Sequence, residues 1–233
     1  MPSKVAVITG GSGGIGLAIA RLFAVNEYAV VITGRNEARL KAAVLVAKND
    51  GVTAMQCDVT DPTSVKKLFA WVREKYSAID ALVNNAGVAH TLAPVANLPF
   101  EDWKKTIDTN LTGTFLCTQA ALPLMSAGSA IVNNLSVAAT HSFAGMSAYN
   151  ASKAGALGFT NVLREELRKR GIRVVALLPG AVDTEIWDQF WPEAPREKML
   201  SVDTVAQAVL HAVSAPAETS IEEIRIGPTI GVL

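Results

Sequence analysis

Tyr149, Lys153 and Ser136 are the residues whose types and spacing best suit chemistry in this chain. Tyr149 and Lys153 stand four positions apart in the segment Tyr-Asn-Ala-Ser-Lys, and Ser136 precedes Tyr149 by thirteen residues. Residues four apart lie on one face of a helix, so the Lys153 ammonium can stabilise a phenolate and move the Tyr149 pKa toward neutrality. Such a tyrosine can exchange protons at physiological pH, which predicts a general acid/base.

A glycine-rich stretch near the start of the chain predicts phosphate binding. Gly10, Gly14 and Gly16 follow an apolar run at 5–9 and lead into a predicted helix at 14–25. A backbone without side chains can approach a pyrophosphate closely where a strand turns into a helix. Glycines also serve turns that bind nothing, so the stretch has weight only together with the tyrosine and lysine. Both features together predict hydride transfer with a nicotinamide cofactor.

The end of the second predicted strand bears on the choice between NADP(H) and NAD(H). Dinucleotide-binding folds often have an acidic residue there, which binds the ribose 2′-hydroxyl of NAD. Here the strand ends at Gly34, which brings no carboxylate, and the planar guanidinium of Arg35 suits bidentate contact with a 2′-phosphate. The sequence therefore predicts NADP(H) in preference to NAD(H), with a solvated loop arginine as the alternative.

The composition favours an enzyme-sized domain that acts on small molecules. The 233 residues are half apolar and carry 21 basic and 21 acidic side chains, so no net charge attracts nucleic acid or an anionic membrane. Cys57 and Cys117 lack metal-ligand spacing and are predicted to be reduced, structural thiols. The histidines are scattered and predict no metal site: His90, His141 and His211. Without a predicted signal peptide or membrane span, we expect a cytoplasmic protein.

Apolar runs with strand character alternate with helical segments along the chain. The predicted strands are 5–9, 29–33, 52–57, 81–83, 130–135, 172–178 and 224–226. The predicted helices are 14–25, 37–49, 62–76, 101–125, 149–169 and 203–214. This alternation is typical of parallel strands between two helix layers. We predict an α/β fold, a doubly wound Rossmann-type parallel sheet of about seven strands with helices on both faces, in a single dinucleotide-binding and catalytic domain over residues 1–233.

The ordered set of motifs resembles the short-chain dehydrogenase/reductase family, in its single-domain branch. The resemblance rests on the glycine loop, Asp58, Asn84-Asn85-Ala86-Gly87, Asn110, Ser136, Tyr149, Lys153 and Pro179-Gly180. It implies that Tyr149 is the general acid/base and that Lys153 binds the nicotinamide ribose. It implies further that Ser136 hydrogen-bonds the substrate oxygen and that Asn110 lies at a helix kink that holds a water molecule. The cofactor-binding residues that it implies are Gly10, Ser12, Gly14, Ile15, Gly16, Arg35, Asp58, Val59, Asn85, Ala86, Gly87, Tyr149, Lys153, Pro179, Gly180, Val182 and Thr184.

The substrate is less defined than the chemistry. The segment that follows Pro179-Gly180 covers substrate in related proteins, and here it is short. The aromatic residues of this segment are Trp187, Phe190 and Trp191. Together with Phe143 and Met146, which precede Tyr149, they could form an apolar pocket for a hydrophobic ketone, or pack in the core or between subunits. We expect an NADP-dependent carbonyl reductase or alcohol dehydrogenase. The alternatives are a non-catalytic NADP-binding sensor and an epimerase or dehydratase that retains its cofactor.

The resemblance also implies assembly through the long helices that bear Asn110 and Tyr149. Apolar residues at helical spacing offer a stripe on each: Leu116, Ala120 and Leu124, and Ala156, Phe159 and Leu163. Two such stripes from each of two chains would form a four-helix contact. We expect a homotetramer, with a dimer as the second choice, although the same pattern also fits burial inside one chain.

Overall fold

The seven strands of the described residues lie in one parallel sheet. The computed structural model describes residues 4–47, 51–216 and 218–231, without the side chain of Phe190. The strands are β1 (Lys4–Thr9), β2 (Tyr28–Gly34), β3 (Val52–Gln56), β4 (Ala81–Asn84), β5 (Ala130–Asn134), β6 (Arg173–Pro179) and β7 (Glu223–Ile226). They are ordered β3-β2-β1-β4-β5-β6-β7, and each neighbouring pair is parallel. The predicted doubly wound sheet is confirmed.

Helices cover both faces of the sheet. They are α1 (Gly14–Val25), α2 (Glu37–Ala47), α3 (Pro62–Tyr76), α4 (Phe100–Ile107), α5 (Gly113–Ala121), α6 (Ser147–Arg168), α7 (Trp187–Phe190) and α8 (Val202–Val213). The predicted end of the second helix, at residue 49, lies outside the described residues. Two helices begin where polar caps predict it: Asp61 accepts the Thr63 N–H at 2.8 Å, and Ser201 accepts the Thr204 N–H at 3.2 Å.

The central strands are apolar on both faces because each face is buried under helices. One core cluster joins α1, α2 and α8 to the sheet through residues such as Phe23, Leu40 and Val209. The other joins α3, α5 and α6 to the opposite face through residues such as Leu68 and Leu163. The order of the strands reverses direction between β1 and β4, and such a switch point opens a crevice at the carboxyl ends of those strands.

The segment predicted as one helix at 101–125 is helical over residues 100–124, but its turns are not all α-helical. Between α4 and α5 the chain makes a π-helical turn at Asp108–Thr112, and a 3₁₀ turn follows at Leu122–Leu124. Asn110 lies in this wider turn, where it is buried and its side chain is bound to the backbone of Val88, in the segment after β4. A π-helical turn inside a helix is frequently found at a functional site. Apolar periodicity does not distinguish an α-helical turn from a π-helical one, so periodicity alone could not predict this turn.

The residues predicted to form a contact between subunits are wholly or partly buried within the chain. The side chains of Ala156 and Leu163 are less than 5% exposed, and the other four are partly buried against the core cluster that contains Leu163. The burial of Ala156 and Leu163 agrees with the alternative that these stripes pack inside their own chain, and contact between chains stays a prediction. The apolar side chains that these helices do expose are Phe115 on α5 and Val162 on α6. Within the described ranges, no helix is long and apolar enough to cross a bilayer.

Candidate active site

A single cleft of about 790 Å³ at the carboxyl ends of the strands collects most of the predicted site residues. Of the residues assigned to cofactor binding, all but Gly16 line this cleft, as do the catalytic candidates Ser136, Tyr149 and Lys153. Gly16 and Asn110 lie behind its wall. The residues come from the ends of β1 to β6 and from the start of α6, so the parallel sheet brings distant segments to one edge.

The glycine loop shapes one end of the cleft. Gly10 has a φ of +64°, and a Cβ on Gly16 would stand 2.4 Å from the Gly10 carbonyl oxygen, so a side chain at Gly16 would displace the backbone. The N-terminus of α1 at Gly13 has no side-chain cap, and its first turn has no acidic residue. Its backbone N–H groups and positive dipole end are therefore left for an anion, and the loop fits a dinucleotide pyrophosphate.

A chain of hydrogen bonds connects the glycine loop to the catalytic candidates. The Asn85 amide donates to the carbonyl oxygens of Thr9 and Gly10 at 3.0 and 3.1 Å. The Asn134 amide in turn donates to Asn85 Oδ1 at 2.8 Å, and Lys153 Nζ donates to the Asn134 carbonyl oxygen at 2.9 Å. Asn134 was not among the predicted site residues. This connection fixes Lys153 relative to the loop that would hold the cofactor.

Tyr149, Lys153 and Ser136 meet at the other end of the cleft. The Lys153 ammonium lies 5.5 Å from the centroid of the Tyr149 ring, on the first turns of α6. Ser136 ends the loop after β5, and its Oγ accepts the Ala138 N–H at 3.1 Å, which leaves its own proton to donate. The loop after β5 and the first turns of α6 therefore place the Ser136 hydroxyl beside the Tyr149 phenol.

Burial decides the protonation of these groups. Burial raises the pKa of Tyr149 to about 12, and contact with the Ser136 hydroxyl lowers it by a smaller amount. Burial lowers the pKa of Lys153, 6% exposed, to about 8. The prediction that Lys153 moves the Tyr149 pKa toward neutrality is thus wrong for the chain by itself. The direction of the Tyr149 pKa is set by burial, which disfavours the charged phenolate.

Asn110 joins the catalytic end from behind the cleft. Its amide donates to the Val88 carbonyl oxygen at 2.9 Å and to Ser152 Oγ at 3.0 Å, and its Oδ1 accepts the Val88 N–H at 2.8 Å. A Cβ on Gly87 would stand 3.4 Å from Asn110 Oδ1 and 3.7 Å from Lys153 Nζ. Asn110 therefore fixes the backbone that separates it from Lys153, and its position at a distorted helix turn agrees with the predicted kink.

The opposite end of the cleft carries the residues predicted to bind the adenosine part of a cofactor. The exposed side chain of Arg35 lines the cleft there. The surroundings of Gly34 are not crowded, because a Cβ at this residue would make only ordinary contacts, the nearest 3.5 Å from Ser12 Oγ. Asp58 Oδ1 accepts the N–H and the hydroxyl of Thr60 at 2.9 and 2.8 Å, which fixes its carboxylate at the end of β3. This end can therefore accommodate an adenosine with a phosphate on its ribose.

The part of the cleft beyond Tyr149 is largely apolar. Its lining includes Leu92, Phe143, Met146, Ile186, Trp187 and Trp191. The Trp187 indole donates to the Val182 carbonyl oxygen at 2.9 Å, so its ring is fixed in the wall. Four of the five aromatic and methionine residues considered from the sequence thus line the cleft, and the side chain of Phe190 lies outside the description.

The cations that line the cleft are unevenly distributed. Of its described lining residues, only Arg35, Arg39 and Lys153 are basic, and the two arginines lie at the adenosine end. Arg39 and its partner Glu185 were not predicted as site residues; the sequence signal was an arginine four positions after Arg35. In the described part of the chain, no three His, Cys, Asp or Glu side chains are grouped to hold a metal ion.

Comparison with known proteins agrees with this geometry. The family model of short chain dehydrogenase matches residues 4–195. An uncharacterized oxidoreductase of Staphylococcus aureus strain MW2 is 32% identical over 230 residues, 98% of each chain. The closed form of serine dehydrogenase complexed with NADP+ has a TM-score of 0.90 at 29% identity, over 98% of this chain and 96% of its own. An alcohol dehydrogenase from the archaeon Thermococcus sibiricus, complexed with 5-hydroxy-NADP, has a TM-score of 0.89 at 28% identity, over 99% and 98%.

Proposed function

The chain belongs to the short-chain dehydrogenase family of oxidoreductases, and from this premise we propose that it reduces a small, neutral and largely apolar carbonyl compound with NADPH, or oxidises the corresponding alcohol with NADP+. The observation that carries the proposal is the meeting of Tyr149, Lys153 and Ser136 in a cleft whose other end is a glycine loop fitted to an anion. The two NADP complexes among the similar structures support the cofactor.

The proton chemistry follows from the two pKa values. Since the pKa of Tyr149 is raised to about 12, its phenol keeps its proton at neutral pH and can donate it to a carbonyl oxygen. The Ser136 hydroxyl shares the charge that develops on that oxygen. Lys153, with its pKa lowered to about 8, can return a proton to Tyr149 after turnover. A nicotinamide bound at this end of the cleft would supply the hydride.

The charge distribution supports a neutral substrate. A substrate carboxylate placed beyond Tyr149 would meet mainly apolar side chains, with Lys153 as the single lining cation among described residues at that end. Burying an unpaired charge there would be costly, whereas an apolar group gains from burial. We therefore propose that the enzyme favours an ester or a plain ketone over the matching acid.

The test follows NADPH absorbance with purified protein and pairs such as ethyl acetoacetate and acetoacetate. We expect turnover of the neutral member at a kcat/KM at least about tenfold above that of the anion. The reason is that leaving the buried charge of the anion without a partner costs more than about 1.4 kcal/mol. Tyr149→Phe keeps the ring but removes the proton, so turnover should fall by roughly 10²- to 10⁴-fold with NADPH binding unchanged. NADPH binding without consumption by any carbonyl compound would favour the sensor instead.

Location and assembly are further proposals. The free, buried thiols of Cys57 and Cys117 support a reducing compartment such as the cytoplasm, and burial raises the pKa of both, which makes them unreactive. The exposed Phe115 and Val162 support contact between chains through α5 and α6 in a homotetramer.

A further inference from the structure

A second arginine lies beside the glycine loop at the adenosine end of the cleft. Arg39 belongs to the first turn of α2, where its N–H donates to Asn36 Oδ1 at 3.0 Å. Its Nη2 lies 3.1 Å from the point where a Cβ of residue 13 would stand, so its guanidinium occupies the space that Gly13 leaves open. Gly13 follows Ser12, whose Oγ borders Gly34. Arg39 is therefore next to the region where Gly34 and Arg35 predict a 2′-phosphate.

The partner of Arg39 is a carboxylate on the other side of the cleft. Arg39 Nη2 lies 2.5 Å from Glu185 Oε2, and the two side chains are 50% and 70% exposed. An ion pair this exposed contributes little to stability and can exchange partners readily. A phosphate monoester has a charge between −1.5 and −2 at about pH 7 and three acceptor oxygens, so it competes well with one carboxylate for a guanidinium.

Exchange would not detach the segment that carries Glu185. Arg196 holds the same segment independently, with Nη1 3.0 Å from Asp183 Oδ1 and Nη2 2.5 Å from Asp188 Oδ1. Arg39 can therefore leave Glu185 while the wall of the cleft stays in place.

From these contacts we infer that Arg39 is a second specificity-determining residue for the 2′-phosphate. In the absence of cofactor, Glu185 pairs with the Arg39 guanidinium, and the bound phosphate displaces this carboxylate. The inference rests on the proposed preference for NADP(H). It gives the two members of one ion pair opposite effects: Arg39 promotes phosphate binding, and Glu185 competes against it.

The test compares 2′,5′-ADP with 5′-AMP, which differ by the 2′-phosphate alone, in calorimetric titrations of the full chain. Arg39→Gln should weaken 2′,5′-ADP roughly tenfold and leave 5′-AMP within about twofold, because one charge-assisted contact is lost. Glu185→Gln should tighten 2′,5′-ADP about threefold without affecting 5′-AMP, because the competing carboxylate is gone. Arg73→Gln is the matched control: it makes the same change of charge in the last turn of α3, far from the carboxyl ends of the strands, and should alter neither probe.

Two results would overturn the inference alone. If the only role of Arg39 is to hold the segment with Glu185 against α2, Arg39→Gln and Glu185→Gln break the same contact. Both substitutions then change the affinity for both probes in the same direction. If Arg35 reads the phosphate by itself, Arg39→Gln binds 2′,5′-ADP as tightly as the wild type, which still prefers it to 5′-AMP. Equal affinity of the wild type for both probes is a different failure, since it would remove the proposed NADP(H) preference together with the inference.

Discussion

Replacing Lys153 by methionine should make the protein more stable while it abolishes turnover. The ammonium is buried, and burial lowers its pKa from the usual 10.5 to about 8. At neutral pH this difference corresponds to roughly 3 kcal/mol by which folding disfavours the charged lysine. Methionine fills a similar volume without a charge, so the substitution removes that cost.

Two favourable contacts are lost at the same time. Lys153 donates to the Asn134 carbonyl oxygen at 2.9 Å and lies over the Tyr149 ring. Their loss costs roughly 1 to 2 kcal/mol of stability, which offsets part of the gain from removing the charge. The net gain should be about 1 to 2 kcal/mol at pH 7, or a rise of about 2 to 8 °C in Tm for a domain of this size. Thermal unfolding followed by circular dichroism measures it.

The pH dependence of the stability gain shows whether desolvation of the Lys153 ammonium or another effect causes it. Because the folded pKa of Lys153 lies below the unfolded one, the unfolded state binds more protons between about pH 8 and 10.5, and the wild type gains stability as pH rises through that range. The advantage of Lys153→Met should therefore shrink by about 2 kcal/mol from pH 7 to pH 9.5. Lys66→Met, at an exposed position on α3, is the control and should shift Tm little at either pH. A destabilised Lys153→Met protein, or a gain that is the same at both pH values, would refute the reasoning.

Three further expectations concern cofactor, pH and assembly. Gly34→Asp with Arg35→Ala should reverse the cofactor preference in fluorescence titrations. A contact between arginine and phosphate contributes on the order of 1.5 to 3 kcal/mol, which is roughly 10- to 150-fold in affinity. Tighter binding of NAD than of NADP by the wild type would contradict this. The kcat/KM for reduction should be flat below pH 7 and decline above about pH 8, where Lys153 loses its proton, and a profile flat to pH 10 would exclude that role. Light scattering should give about four times the chain mass of 24.6 kDa, and Phe115→Lys should yield smaller species; a wild type of single-chain mass would rule out the tetramer.

The sequence by itself determined the sheet and most of the cleft. The apolar runs predicted the central strands because a strand buried on both faces needs apolar residues throughout, and the observed bounds of all seven strands differ by at most one residue. The glycine loop and the pair Tyr149 and Lys153 were predictable because their function depends on local spacing, within one turn or along one helix face. Comparison with known proteins confirmed the family that these motifs resemble.

Other properties were decided by tertiary structure alone. Periodicity predicts the apolar face of the helix that carries Ala156 and Leu163 but not what covers it, and the fold buries both residues within their own chain. The pKa of Tyr149 rises because the surrounding fold excludes water, a term that a spacing of four residues does not contain. Arg39 meets Glu185, 146 positions away, only because α2 and the segment after β6 lie at the same edge of the sheet. Local chemistry was therefore readable from the sequence, whereas burial and long-range pairing required the folded chain.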